Sequence, residues 1–165
     1  MEKKWPDFYV QKLKIPRDFI LLVGWTGEPA STSALIKQMD SFKKKSPQEY
    51  ARISKKIKNL VNSLIIEWER GKREKILDLL RKNEDYLREL GQESGVLIET
   101  PQLRKLSEIA NKAGGAGKLS GSGGGDCGIA LTFNKKIAKK IKREWKKNNI
   151  LPIKAEIDFS GVKIH

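Results

Sequence analysis

Six glycines fall within the twelve residues Gly117 to Gly128, most of them inside the stretch KLSGSGGGDCGIAL (118–131). Glycine-rich turns commonly link strands, so one reading is a hairpin-like connection between a strand at 115–119 and a strand at 127–133. The second strand, CGIALTF, sets Ile129, Leu131 and Phe133 on one face. The other reading is a binding element. Glycines permit positive φ and let a ligand approach the main chain without meeting a Cβ. Against a mere connection stands Asp126-Cys127, which joins the loop abruptly to a buried strand.

Around this segment the chain reads as strand, several helices, strand, strand, helix, strand. FYVQKLK (8–14) alternates as a strand, and FILLVGW (19–25) is a continuous apolar run of the kind buried on both faces. Helical spacing follows at Leu35, Met39 and Phe42, with Ser31 or Thr32 as cap. Ser46-Pro47-Gln48-Glu49 opens a helix whose stripe runs Tyr50, Ile53, Ile57, Leu60, Leu64 and Trp68 until Gly71. Ile76, Leu80, Leu87 and Leu90 mark another, closed by Gly91, and Thr100-Pro101 opens a further one through Leu103, Leu106 and Ala110. Asn134 caps a helix over 135–148, with Ile137, Ile141 and Trp145 inward and eight Lys and Arg toward water. Residues 151–159 alternate as a closing strand. The expectation is an α+β, ferredoxin-like sandwich of a mostly antiparallel sheet with several added helices, in one domain over residues 1–165.

No apolar stretch reaches the length of a membrane span, and the first residues lack the apolar core of a signal peptide. One cysteine, Cys127, excludes an internal disulfide framework and suits a reducing compartment, so a cytoplasmic location is expected. Cys127 reads as a small buried hydrophobe. The only histidine is the last residue, which leaves no Ser-His-Asp triad and little scope for a His-based metal site. The net charge of +14 favours anionic partners, although lysines on helix faces also serve solvation alone. An RNA-recognition sheet displays paired aromatics. Here the internal strand offers only Phe133, on the core face, so neither nucleic acid nor membrane is an expected partner.

Successive N–H groups in a tight glycine-rich curve form an anion-binding concavity. Ser120 and Ser122 add hydroxyls, Lys118 adds a positive charge at the start, and Asp126 accepts loop N–H groups, binds a cation or stays solvated. Two known signatures fail. A Walker A loop needs Ser or Thr after Gly117-Lys118 and glycine at 112, where Leu119 and Lys112 stand. A dinucleotide fingerprint forced onto Gly123, Gly125 and Gly128 runs into a strand instead of opening a helix.

With these residues in view, KLSGSGGGDCGIAL resembles the third motif of the GHMP kinases, and its Gly-Gly-Gly-Asp-Cys-Gly ending is similar to the phosphomevalonate kinase branch. LLVGWTGEPASTSALI (21–36) is similar to the strand–turn–helix that opens the C-terminal half of those enzymes, and WKKNNILPIKAEI to their closing helix and strand. The resemblance implies a GHMP C-terminal domain, and ATP with Mg²⁺ as cofactors. It also implies transfer of the ATP γ-phosphoryl group to 5-phosphomevalonate in isoprenoid biosynthesis. Carried over, Ser120, Gly121 and Ser122 would meet the acceptor phosphate or the transferring group, Gly123, Gly124 and Gly125 would supply close-approach backbone, and Lys118 and Asp126 would flank them. Thr26 and Gly27 are candidates for the cleft wall, or a turn that launches the next helix. Trp25 and Trp145 read as core or domain-interface residues. The family's nucleotide loop, P-x-x-x-G-L-G-S-S, occurs nowhere in the sequence. An N-terminal GHMP domain, in cis or in trans, is therefore an implied partner, and this half alone is expected to be inactive. The alternative function is a basic nucleic-acid-binding module or a non-catalytic scaffold derived from a kinase.

Overall fold

A computed structural model describes residues 13–158. Four strands, β1 (Ile20–Trp25), β2 (Ala116–Leu119), β3 (Cys127–Thr132) and β4 (Leu151–Ile153), form one sheet in the order β2-β3-β1-β4, every neighbouring pair antiparallel. The helices are α1 (Thr32–Lys45), α2 (Pro47–Glu69), α3 (Arg73–Ser94), α4 (Pro101–Lys112) and α5 (Lys135–Lys147). Chain order and strand order together give the ferredoxin-like α+β sandwich, with α1 to α3 inserted into its first crossover.

Two helices fill one face. Leu106 and Ala110 of α4, with Ala138, Ile141 and Trp145 of α5, pack on Leu22 of β1 and Ala130 of β3. Trp145 is fully buried and donates its indole N–H to the Leu106 carbonyl at 3.0 Å, so the largest core side chain leaves no polar orphan. On the other face the α2–α3 hairpin covers only the β2–β3 side, where Ile76, Leu77 and Trp68 meet Ala116, Leu131 and Phe19. The FILLVGW run is consequently not buried on both faces. Leu22 and Gly24 point into the core, Leu21 and Val23 are half-buried, and Trp25 is 40% exposed.

Local signals explain several boundaries. The Thr100 hydroxyl accepts from Leu103 N and caps α4, and Asn134 Oδ1 accepts from Lys136 N and Ile137 N to cap α5. Gly91 does not end α3. The helix runs through it, with the Val96 carbonyl close by, and stops at Gly95, whose φ of +68° is the left-handed cap. The closing strand is shorter than its alternation predicts, since residues 154–158 leave the sheet after Ile153. Of the strand expected at 8–14, residues 8–12 lie outside the described residues, and 13–14 form no strand.

Candidate functional site

β2 is an edge strand, and side chains from α3 and α4 occupy its outer edge. The Arg81 guanidinium donates twice to the Gly115 carbonyl, at 2.7 and 3.0 Å. Gly117 N donates to Asn111 Oδ1 at 2.9 Å, and Leu119 N donates to both oxygens of Glu84 at 3.0 and 3.1 Å. Glu84 is 2% exposed and also accepts from the Ser107 hydroxyl at 3.0 Å. Burial raises its pKa above the usual carboxylate value, partly offset by the Leu119 and Ser107 donors. Lys118 folds back, its Nζ donating to the Leu119 carbonyl at 2.6 Å, and burial lowers its pKa while Glu84 opposes the shift. The residue that leads into the glycine loop is thus held at its N–H by an acid and at its C=O by a base.

Three further amides pin the loop itself. Ser120 N donates to the Cys127 carbonyl at 3.1 Å, Gly124 N to the Ile98 carbonyl at 2.7 Å, and Asp126 N to the Glu28 carbonyl at 2.5 Å. Thr26 closes the far end, since both its N–H (2.8 Å) and its hydroxyl (2.9 Å) donate to the Asp126 carbonyl. Gly121, Gly123, Gly124 and Gly125 all take positive φ, between +70° and +135°, and so does Asp126 at +61°. Among the described residues the N–H groups of Gly121, Ser122, Gly123 and Gly125 have no acceptor. Gly123 and Gly125 are buried, where an unmet N–H is costly unless an acceptor arrives.

The N-terminus of α1 stands beside this curve. Thr32 Oγ1 lies 3.0 Å from Ser122 Oγ, and the Ser31 side chain does not cap the helix. The first-turn N–H groups and the positive end of the α1 dipole therefore meet the loop, with hydroxyls between them. Next to both lies an apolar pocket of about 210 Å³, walled by Leu35, Met39, Leu87 and Ile98, with Gly121 and Ser122 on its rim. Pinned amides, hydroxyls and a helix N-terminus are a setting for anionic oxygens, with an apolar neighbour for a short carbon skeleton.

Of the residues read from the sequence, 118 and 120–126 come together in this one element. Thr26 is 4% exposed and spends its hydroxyl on the Asp126 carbonyl, so it tethers the loop, while Gly27 is an exposed turn residue at φ +85°. Asp126 is exposed, and its carboxylate accepts at 3.7 Å from the Cys127 thiol, whose pKa rises through burial first and that charge second. Cys127 is half-buried. The resemblance did not point to Thr32, Glu84, Asn111 or Arg81. Glu84 carried one signal: it falls on the apolar stripe of α3 between Leu80 and Leu87, where a charge demands buried partners. No three of His, Cys, Asp and Glu converge among the described residues.

An antiparallel β2-β3-β1-β4 sheet with a pinned glycine loop between β2 and β3 defines the class, and comparison with known proteins gives the family. Residues 57–151 match the family described as GHMP kinases C terminal. The chain belongs to the GHMP kinase family through this domain. It is 32% identical over 164 residues, 98% of its length and 44% of the relative's, to a phosphomevalonate kinase from Streptomyces sp. (strain CL190). A Lin0012 protein from Listeria innocua superposes with a TM-score of 0.86 at 36% identity, over 93% of this chain and 43% of that one. A phosphomevalonate kinase from Streptococcus pneumoniae, solved with phosphomevalonate and AMPPNP, gives a TM-score of 0.63 at 35% identity, over 79% and 36% of the two chains. The chain therefore spans less than half the length of the relatives it matches.

Proposed function

We propose that the chain is the C-terminal half of a phosphomevalonate kinase, completed in cis or in trans by an N-terminal GHMP domain that carries the nucleotide loop. The complete enzyme moves the γ-phosphoryl group of ATP to the phosphate of 5-phosphomevalonate, giving 5-diphosphomevalonate for isoprenoid synthesis in the cytoplasm. The observation that carries this reading is the Ser120–Asp126 loop, pinned at three amides and leaving four without acceptors. The Streptomyces and Streptococcus relatives supply the substrate class.

Phosphoryl transfer is mostly positioning and charge stabilisation. In this reading the N–H groups of Gly121, Ser122, Gly123 and Gly125 orient phosphoryl oxygens, and the Ser120 and Ser122 hydroxyls add directional donors. The α1 N-terminus adds fixed positive potential that needs no reorganisation during reaction. Lys118 and Asp126 flank the loop, with Lys118 acting through the Leu119 carbonyl rather than by reaching out. Gly27 lies at the cleft wall, and Thr26 holds the wall to the loop. When bound, Mg²⁺ would neutralise charge on the nucleotide phosphates; no acidic cluster gathers among the described residues, so in this reading the N-terminal half would help to hold it. Alone, this chain has no nucleotide loop and turns over nothing.

The test adds phosphomevalonate and ATP to the ¹⁵N-labelled chain mixed with the N-terminal half of a relative, while ADP release is followed. Shifts confined to Gly121–Gly125 together with turnover are expected. A reconstituted pair that binds neither substrate contradicts the proposal.

A further inference from the structure

The surplus of positive charge is not spread over the molecule. Residues 135–153, from the start of α5 to the end of β4, hold eight Lys and Arg against one acid, Glu144, and so carry seven of the chain's fourteen net positive charges; Lys154 follows, with the acids Glu156 and Asp158 beyond it. The α2–α3 hairpin, 47–94, holds eleven Lys and Arg against nine acids. Its cations are largely neutralised by pairs such as Arg52–Glu89, Lys56–Glu89, Arg81–Asp78 and Arg88–Asp85. On α5, Glu144 meets Arg143 and Lys147, while Lys135, Lys136, Lys139, Lys140, Lys142 and Lys146 are exposed and have no acidic partner among the described residues.

These charges border a concave surface. Lys139, Lys142, Arg143 and Lys146 of α5 face Pro152, Ile153 and Lys154 across a groove of about 490 Å³. It lies at the β4 edge of the sheet, the edge opposite β2 and its glycine loop. We infer that the α5–β4 groove is a docking surface for the phosphate backbone of a duplex nucleic acid, gripped without regard to sequence. This inference is independent of the phosphotransfer reading.

The structure argues against lipid insertion, strand addition and base stacking. The apolar stripe of α5, Ala138, Ile141 and Trp145, is buried in the core, so the helix has no face to insert into a lipid surface. Pro152 takes a donor out of the short β4 edge, which makes addition of a partner strand poor. No aromatic ring is exposed on α5, so unstacked bases find no platform. What remains is regularly spaced cations along a thirteen-residue helix. Such a helix runs about 20 Å, a length over which a duplex presents on the order of ten phosphates.

The experiment measures binding of a fluorescent 20-base-pair DNA duplex, in two unrelated sequences, to the full chain by anisotropy from low to moderate salt. Both sequences should bind equally, with affinity falling against salt at a log–log slope of about −4.5, as expected for some five phosphate contacts. Changing Lys139, Lys142, Arg143 and Lys146 together to Glu should abolish binding, while Lys55→Glu with Lys58→Glu on α2 should leave it within about two-fold. Should the fourfold variant fail to fold, Lys142→Gln and Lys146→Gln singly should each lower the slope by about one. Absence of binding at low salt overturns the inference, as does equal loss in the α2 variant. So does at least ten-fold tighter binding of inorganic polyphosphate or phosphatidylserine vesicles than of the duplex.

Discussion

The carboxylate of Glu84 accepts the backbone N–H of Leu119 through both its oxygens, at 3.0 and 3.1 Å, from a position that is 2% exposed. This contact joins the middle of α3 to the last residue before the glycine loop. An acid at a core position is tolerated because the strand edge presents an N–H that β3 cannot take, and Ser107 supplies a second donor.

Glu84→Ala should therefore strand two buried donors and open a void, costing roughly 2–4 kcal/mol in chemical denaturation. Glu84→Gln should cost much less, because its carbonyl still accepts from Leu119. The two variants also separate by pH. The folded-state pKa of Glu84 is raised, so its contribution is complete below the unfolded value near 4.5 and is lost as pH climbs through the folded value. Between about pH 4 and pH 7 the stability difference should shift toward the Gln variant. A pH-independent difference would mean that Glu84 is not strained by burial.

The loop glycines should not be equivalent. Gly121 has φ +70° and open space around the direction of a Cβ, so Gly121→Ala meets only backbone strain, about 1 kcal/mol. At Gly123, φ is +76° and a Cβ would run into the Ile98 carbonyl, the same carbonyl that accepts from Gly124 N. Backbone on both sides cannot yield without breaking that tether. Gly123→Ala should cost about 3 kcal/mol or more and shift the Gly124 amide signal, whereas Gly121→Ala leaves it in place.

How much of this could be read beforehand follows from where each interaction lies along the chain. Caps are local, so Thr100 and Asn134 were legible from a hydroxyl or amide set before a helical stripe, whereas Ser31 and Ser46 stand at helix starts without a side-chain cap bond. The order of strands and helices was legible too, because periodicity is also local. Gly91 is no helix end because glycine closes helices where the chain turns left-handed, and at Gly91 the chain stays helical, with the Val96 carbonyl 3.1 Å from where a Cβ would stand. The two-sided burial assigned to FILLVGW failed for a non-local reason: the α2–α3 hairpin covers β2 and β3 but stops short of β1 and β4. The loop's glycines announced a close approach. Its anchors, Glu84 and Ile98, lie 35 and 26 residues before their loop partners, beyond any local pattern.

That uncovered sheet face carries a solution prediction. Trp25 is 40% exposed and pairs in register with Leu151, 57% exposed, while Ile153 beside them is 40% exposed. A cluster of this kind on an isolated domain favours association. The chain alone should show concentration-dependent sedimentation, and Trp25→Ser with Leu151→Ser should return it to a monomer with an unchanged thermal transition within about 0.5 kcal/mol. Identical sedimentation of both proteins would place the contact elsewhere.

Ser122 and Thr32 test the site chemistry most directly, because their hydroxyls lie 3.0 Å apart at the junction of the loop and α1. Neither belongs to the core, since both side chains sit in partly open surroundings. Ser122→Ala removes one donor from the cradle yet keeps its backbone N–H. With the N-terminal half supplied, the KM for phosphomevalonate should rise about ten-fold, the weight of one hydrogen bond to a charged group, while kcat falls less. Thr32→Ala acts only through Ser122 and the helix end, so its effect should be smaller and should not add to that of Ser122→Ala. Ser122→Val places a branched side chain where phosphoryl oxygens approach, and should remove most turnover with a melting transition close to that of the native chain. Steady-state kinetics on the four proteins, including the double Ala variant, decide the matter: full additivity would separate the two hydroxyls, and an unchanged KM in Ser122→Ala would remove Ser122 from the site.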